Sequence, residues 1–155
     1  MKIILFKKIT ILLLIVNVVL SSCSTDVKEK EMQSLRRKAE RVTIIRDRWG
    51  VPHIYGKADA DVVFGLMYAQ CEDDFNRVEV NYINAMGRMA EVQGESMVYT
   101  DLRMKLYIDP EEIKKEYEDC PAWLKKLMVA FAGGINYYLY THPEVKPKLI
   151  ERFEP

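Results

Sequence analysis

Apolar side chains recur along the middle of the chain at Phe64, Tyr68, Cys71, Phe75, Val78, Tyr82 and Met86, in steps of 4, 3, 4, 3, 4 and 4. Residues three and four apart share one face of a helix, so this stripe predicts a long amphipathic helix. Asp59 or Asp61 is placed to cap its start. Glu72, Asp73, Asn76 and Glu79 fall mostly off the stripe, and the helix is expected to reach Ala90 or Glu91 and stop near Gly94. Ahead of it, Val42-Thr43-Ile44-Ile45 is short, apolar and β-branched, as a strand should be. Arg46 to Gly50 reads as a polar turn in which Gly50 can take a positive φ. Val51 to Tyr55 is a second extended segment, and Pro52, with no N–H, makes it an edge strand or a strand start. The two segments form a hairpin.

Beyond the long helix, Thr100 to Tyr107 is a shorter helical piece. Asp109-Pro110-Glu111-Glu112 begins another, with Pro in the first turn and acids facing the helix dipole. Pro121 opens a last helix whose apolar face is Trp123, Leu127, Ala130, Phe131, Ile135, Tyr138 and Leu139. Thr141-His142-Pro143 ends it. Gly133 and Gly134 inside that helix each cost about 1 kcal/mol relative to Ala, which implies close packing against another element. The fold class is α+β: a β-hairpin followed by long helices.

The N-terminus has a different pattern. Met1-Lys2 and Lys7-Lys8 supply positive charge, and Ile9 to Leu20 is apolar except for Thr10 and Asn17. That core is shorter than the roughly 20 residues a membrane span needs and suits an export signal. Leu20-Ser21-Ser22-Cys23 follows and looks like the lipobox of bacterial lipoproteins. On that reading residues 1–22 are a signal, Cys23 is the lipid attachment site, and several acyl chains give a stable anchor. The competing reading is an ordinary secretory signal with an incidental Cys. Ser24 in place of Asp favours the outer membrane, facing the periplasm or the cell surface. Residues 23–40 are charged and lack aromatics, a polar tether with a helical tendency from Lys28 to Glu40. Residues 41–155 hold the folding pattern.

Charge excludes one class of partner. The chain carries 23 basic and 23 acidic side chains; without Lys2, Lys7 and Lys8 it stands at 20 against 23, or −3. No basic patch interleaves with aromatics, so nucleic acid is not an expected partner. Past the lipobox, Cys71 and Cys120 are two lone thiols that give no disulfide framework.

The residues alone assemble no catalytic constellation. His53 and His142 are the only histidines, and neither lies at metal-ligand spacing. Cys71 sits on the apolar stripe, where a thiol is inert, which argues against a Cys71–His53 dyad. His53 reads as a structural, hydrogen-bonded histidine, Arg46 and Asp47 as braces of the turn, and Arg88 as an internal ion-pair partner near a helix end. Ser96 follows Gly94-Glu95 in a loop and has no assignable partner. The acids are too many for a catalytic pair to stand out.

A resemblance supplies what these residues do not. Arg46-Asp47, Gly50 and Pro52-His53-Ile54-Tyr55 resemble the opening strand pair of penicillin acylase family α subunits. Asp61, Phe64-Gly65, Tyr68-Ala69-Gln70, Asp73 or Asp74, and Phe75 are similar to their first long helix. Gly87-Arg88, Ala90-Glu91 and Gly94 resemble its end, and Asp101 with Arg103 the segment after it. Phe131-Ala132, Gly134 and Asn136 resemble a later helix, and Phe153-Glu154-Pro155 an aromatic-x-Pro segment in mid-subunit. Cys71-Glu72-Asp73-Asp74-Phe75 departs from the family's commoner acid-Arg-hydrophobic pattern.

The resemblance implies an N-terminal nucleophile hydrolase with a four-layer αββα core, of which this chain holds the N-terminal part of the α subunit. The nucleophile, usually Ser, is the first residue of a β chain released by self-cleavage, absent here. Its α-amine, with an ordinary pKa of about 7.7–8.0, acts as the base. The amide carbonyl is attacked, an acyl-enzyme forms, and water releases the acid. Implied partners are the remainder of the α subunit, the β chain, an N-acyl amide substrate, and a membrane through the lipid. No cofactor is implied. Some members bind a structural calcium, whose ligands, like the acyl-pocket residues, match no position here. By this reading the catalytic, substrate-binding and metal residues of this chain are none. The alternative is a non-catalytic surface lipoprotein, or a binding module derived from the acylase fold.

Overall fold

The computed structural model describes residues 29–155. The chain divides into two units, Met1–Arg36 and Arg37–Pro155. Of the first, the described residues are helical, and this helix, α1, covers residues 29–39. That agrees with the helical tendency expected there. The signal, Cys23 and the start of the tether lie outside the described residues.

The second unit begins with the hairpin. Strands β1 (Val42–Arg46) and β2 (Pro52–Gly56) pair antiparallel, with Ile44 opposite Ile54 and Arg46 opposite Pro52. The alternation of the pleat puts Val42, Ile44, Pro52 and Ile54 on the half-buried face and Ile45, His53 and Tyr55 on the exposed one. Gly50 has φ +82° in the connecting turn, as expected. The inner face rests on helix α2 (Asp59–Ala85), where Gly65 leaves room: a Cβ there would lie within 3 Å of Val42 and Ile54.

Helix α2 differs from the expectation at both ends and in the middle. Neither Asp59 nor Asp61 is the N-cap; Ala58 is, without a side-chain cap. Asp61 is instead buried and paired with Arg41 at 2.7 Å. In the middle, Asp74 leaves helical geometry (φ −163°, ψ 81°) and its Oδ1 accepts from the Arg77 N–H at 3.0 Å, capping the second half as a new helix. The bend resets the helical phase. Phe64, Cys71 and Phe75 of the predicted stripe are buried, but beyond the bend the fully buried positions are Glu79 and Ile83, with Val78 and Tyr82 half-buried and Met86 exposed.

The helix ends at Ala85, short of the predicted Ala90. Gly87 has φ +60°, its N–H donates to Asn84 O, and the Arg88 N–H donates to Ile83 O, both at 3.0 Å. These bonds form a Schellman motif, which terminates a helix wherever the residue after the cap can adopt positive φ. Helix α3 (Ala90–Gln93), a 3₁₀ turn (Glu95–Met97) and helix α4 (Val98–Tyr107) follow. Helix α5 (Pro110–Asp119) starts as predicted, with Asp109 as N-cap accepting from the Glu111 N–H at 2.9 Å. All its residues but Tyr117 are exposed.

Helix α6 (Ala122–Thr141) packs on α2, and the core lies between them: Met67, Cys71, Phe75, Ala132, Ile135, Tyr138 and Phe153. Trp123, expected on the buried face, is exposed, because α2 covers only the later turns of α6. After α6 the chain runs without regular structure from residue 142 to 155, and Phe153 returns to the core. Its ring meets Tyr82 edge-on at 4.9 Å and Phe75 at 6.2 Å, favourable edge-to-face geometries.

Candidate functional site

Between the hairpin and the helical pair lies a groove of about 420 Å³. Its walls are Val42 and Ile44 from β1, Phe64, Gly65 and Tyr68 from α2, and Tyr137 from α6, with Ala39 at the rim. Phe64 and Tyr137 meet at 5.7 Å and Tyr68 and Tyr137 at 5.8 Å, so the wall is aromatic. The polar end is closed by Arg46 and Glu72.

Arg46 joins the hairpin to α2. Its Nη1 donates to Gly50 O at 2.9 Å and pairs with Asp73 at 2.8 Å; its Nη2 donates to Glu72 at 3.0 Å and to Ala69 O at 3.3 Å. The Glu72 hydrogen bond, against a desolvation cost and with help from Asp73, raises the guanidinium pKa above its ordinary value. Glu72 and Asp73 therefore serve the hairpin as anchors for Arg46. Asp47 braces the turn as expected, Oδ1 accepting from Trp49 N at 2.8 Å and Val51 N at 3.0 Å. Burial opposes its ionisation, but those two N–H donors and His53 prevail, and its pKa lies below the ordinary carboxylate value. His53 faces Asp47 at 3.6 Å on the exposed side of the hairpin.

The remaining nucleophile and base candidates do not converge. Cys71 is buried, and burial pushes its thiol up to about 12; a thiol so held is protonated and unreactive at neutral pH. Cys71 and Cys120 are both free thiols. His142 ends α6, its Nδ1 within 3.0 Å of Tyr138 O and its ring stacked on Tyr138 at 4.3 Å. Among the described residues no group of three or more His, Cys, Asp or Glu could hold a metal ion, and no helix is long and apolar enough to cross a membrane.

Two buried carboxylates, Asp101 and Glu79, have roles that the sequence did not show. Asp101, 7% exposed, accepts from Met89 N at 2.8 Å and Ala90 N at 2.7 Å, fixing the turn after α2. Arg88 and Glu91 form a two-pronged ion pair at 2.6 and 2.7 Å on the same turn, the internal pairing expected of Arg88. Glu79, placed off the apolar stripe by the periodicity, is fully buried and accepts three backbone N–H groups from residues 148–150. Its partners are some 70 positions away, beyond the reach of any local pattern.

The family model of penicillin amidase matches residues 41–154. An acyl-homoserine lactone acylase of Pseudomonas fluorescens (QuiP) is 28% identical over 75% of this chain. Penicillin acylase 2 proenzyme of a Pseudomonas strain is 28% identical over 63% of it, and penicillin G acylase of Escherichia coli 25% identical over 76%. The chain covers only 13–14% of the length of these relatives. A crystal structure of thermostable penicillin G acylase from Alcaligenes faecalis superposes with a TM-score of 0.62 at 24% identity, over 74% of this chain and 63% of that one. The hairpin and helices are thus arranged as in that acylase.

Proposed function

The chain belongs to the penicillin amidase family, and from that premise we propose that it is the N-terminal part of the α subunit of an exported acylase. The complete enzyme hydrolyses the linear amide bond of an N-acyl compound, with acyl-homoserine lactones and penicillins as the substrate classes. The nucleophile is an N-terminal Ser on a β chain encoded beyond residue 155, attacking the carbonyl while its own amine takes the proton. Residues 1–22 direct export, Cys23 carries the lipid, residues 23–40 form the tether, and 41–155 contribute to the αββα core. The enzyme is held at the membrane, facing the periplasm or the cell surface.

One observation supports a role inside a larger body. The hairpin is a two-stranded sheet covered by α2 on one face, while Ile45 and Tyr55 on the other face are more than half exposed. Two strands alone are marginal in water and need further strands or a second layer. The rest of the acylase supplies that cover.

The test is the nucleotide sequence following the Pro155 codon. An open frame with a Gly-Ser type junction and a β-chain region is the expected result, followed by release of the free acid from N-acyl substrates by the complete product. A stop followed by unrelated sequence overturns the assignment and leaves a surface lipoprotein without catalysis. Incorporation of labelled palmitate, lost in Cys23→Ala, tests the anchor separately.

A further inference from the structure

The segment after α6 has no regular secondary structure, yet it is held by two side chains from the helical pair. Glu79 of α2 is fully buried; its Oε1 accepts from the N–H groups of Leu149 at 2.8 Å and Ile150 at 3.0 Å, and its Oε2 from that of Lys148 at 3.0 Å. Asn136 of α6 grips Phe153 from both sides: Oδ1 accepts from its N–H and Nδ2 donates to its carbonyl, each at 2.8 Å. Between them, two side chains make five hydrogen bonds to four residues of irregular backbone.

Three successive backbone N–H groups converging on one point form a concavity that suits an anion. A carboxylate buried in an apolar core without such donors would be strongly disfavoured. The helix and the strap therefore each lack something the other provides: the carboxylate needs donors, and the turn at 148–150 needs an acceptor. We propose that Glu79 is a built-in anionic ligand for the 148–150 turn. With Asn136 it forms a latch that locks the strap of residues 143–155 onto α2 and α6, and the strap is released as a unit when the latch is removed. Glu79 is a positioning residue, acting on the path of the strap and on the placement of Phe153.

The proposal makes a claim that simple core filling does not. Glu79→Ala removes a group the size of acetate, so acetate should occupy the vacated concavity and restore the latch. Hydrogen exchange of the full chain, resolved by peptide, reads this. In Glu79→Ala, exchange across 143–155 should rise about tenfold or more while α2 and α6 keep their protection. Acetate should reverse the rise, and chloride at the same ionic strength should not. Asn136→Ala should likewise raise exchange across 143–155 as one unit. Unchanged exchange at 143–155, or a rise spread evenly over the helices that acetate does not reverse, would overturn the proposal. Should Glu79→Ala not fold, Glu79→Gln decides. Gln presents an amide N–H where an acceptor is needed, so faster exchange across 143–155 with the helices still protected supports the latch, and wild-type exchange there refutes it.

Discussion

Gly134 on α6 lies against the backbone carbonyl of Phe64 on α2, so closely that a Cβ at position 134 would collide with that oxygen and press on Met67. The contact sets how near the two helices approach and so the dimensions of the core. In an open helix, Gly→Ala would stabilise by about 1 kcal/mol. Here the collision is with backbone, which cannot rotate away. Gly134→Ala should destabilise the protein by about 1–3 kcal/mol, seen as a lower urea midpoint. A stabilised variant would mean that the helices can separate at no cost.

Asp101 holds the turn after α2 from a distance of more than ten residues. Asp101→Ala should cost about 1–3 kcal/mol, because the Met89 and Ala90 N–H groups lose their acceptor in a largely buried place. Asp101→Asn, keeping one acceptor oxygen, should cost less. Limited proteolysis should then cut within residues 87–94 faster in the Ala variant than in the Asn variant; equal rates in all three proteins would contradict this role.

The two thiols should behave differently. Cys71 is buried with its pKa pushed up to about 12, whereas Cys120 is partly exposed. At pH 8, iodoacetamide should label Cys120 and leave Cys71 unmodified until the protein unfolds, as read by mass spectrometry. The same shift has a linkage consequence. The unfolded thiol ionises near its ordinary value of about 8.5 while the folded one keeps its proton. The folded state then binds more protons above that pH, so this contribution is full below about 8.5 and is lost as pH rises toward 12. Cys71→Ala should flatten the alkaline decline in stability.

Asp47 acts in the opposite sense. Its pKa is lowered in the folded protein, so its contribution is present above the ordinary carboxylate value of about 3.9 and is lost as pH falls through the folded value. The hairpin turn should loosen on acidification in that window. Trp49, exposed at the turn, gives a local fluorescence readout. Asp47→Asn should already show the loosened signal at neutral pH.

The elements of this protein were legible in its sequence because they rest on neighbours. The Val42–Ile45 and Val51–Tyr55 strands, Gly50 in the turn, the Asp109-Pro110 helix start and the Pro121 helix start all depend on residues within one turn or one strand. Local sterics and backbone hydrogen bonding decide those, and the structure agrees with each. The family, too, was readable from the order and spacing of its motifs over residues 41–154.

What the sequence could not decide was which face of an element is inside once the chain bends. Asp74 reads as one more acid on a long helix, but as an N-cap it restarts the helix: Phe75 stays buried as the stripe predicts, Glu79 and Ile83 become fully buried, Val78 and Tyr82 are half-buried, and Met86 is exposed. Gly87 ends α2 early through its positive φ, and Asp101, eleven and twelve positions away from its partners, holds the turn that follows. The periodicity sets Glu79 off the apolar stripe, since it weighs charge against apolar surface and knows nothing of donors. Only the tertiary structure brings the Lys148, Leu149 and Ile150 N–H groups to it. A buried carboxylate is tolerable where hydrogen bonds replace its hydration, and the groups that do so are neighbours in space rather than in sequence.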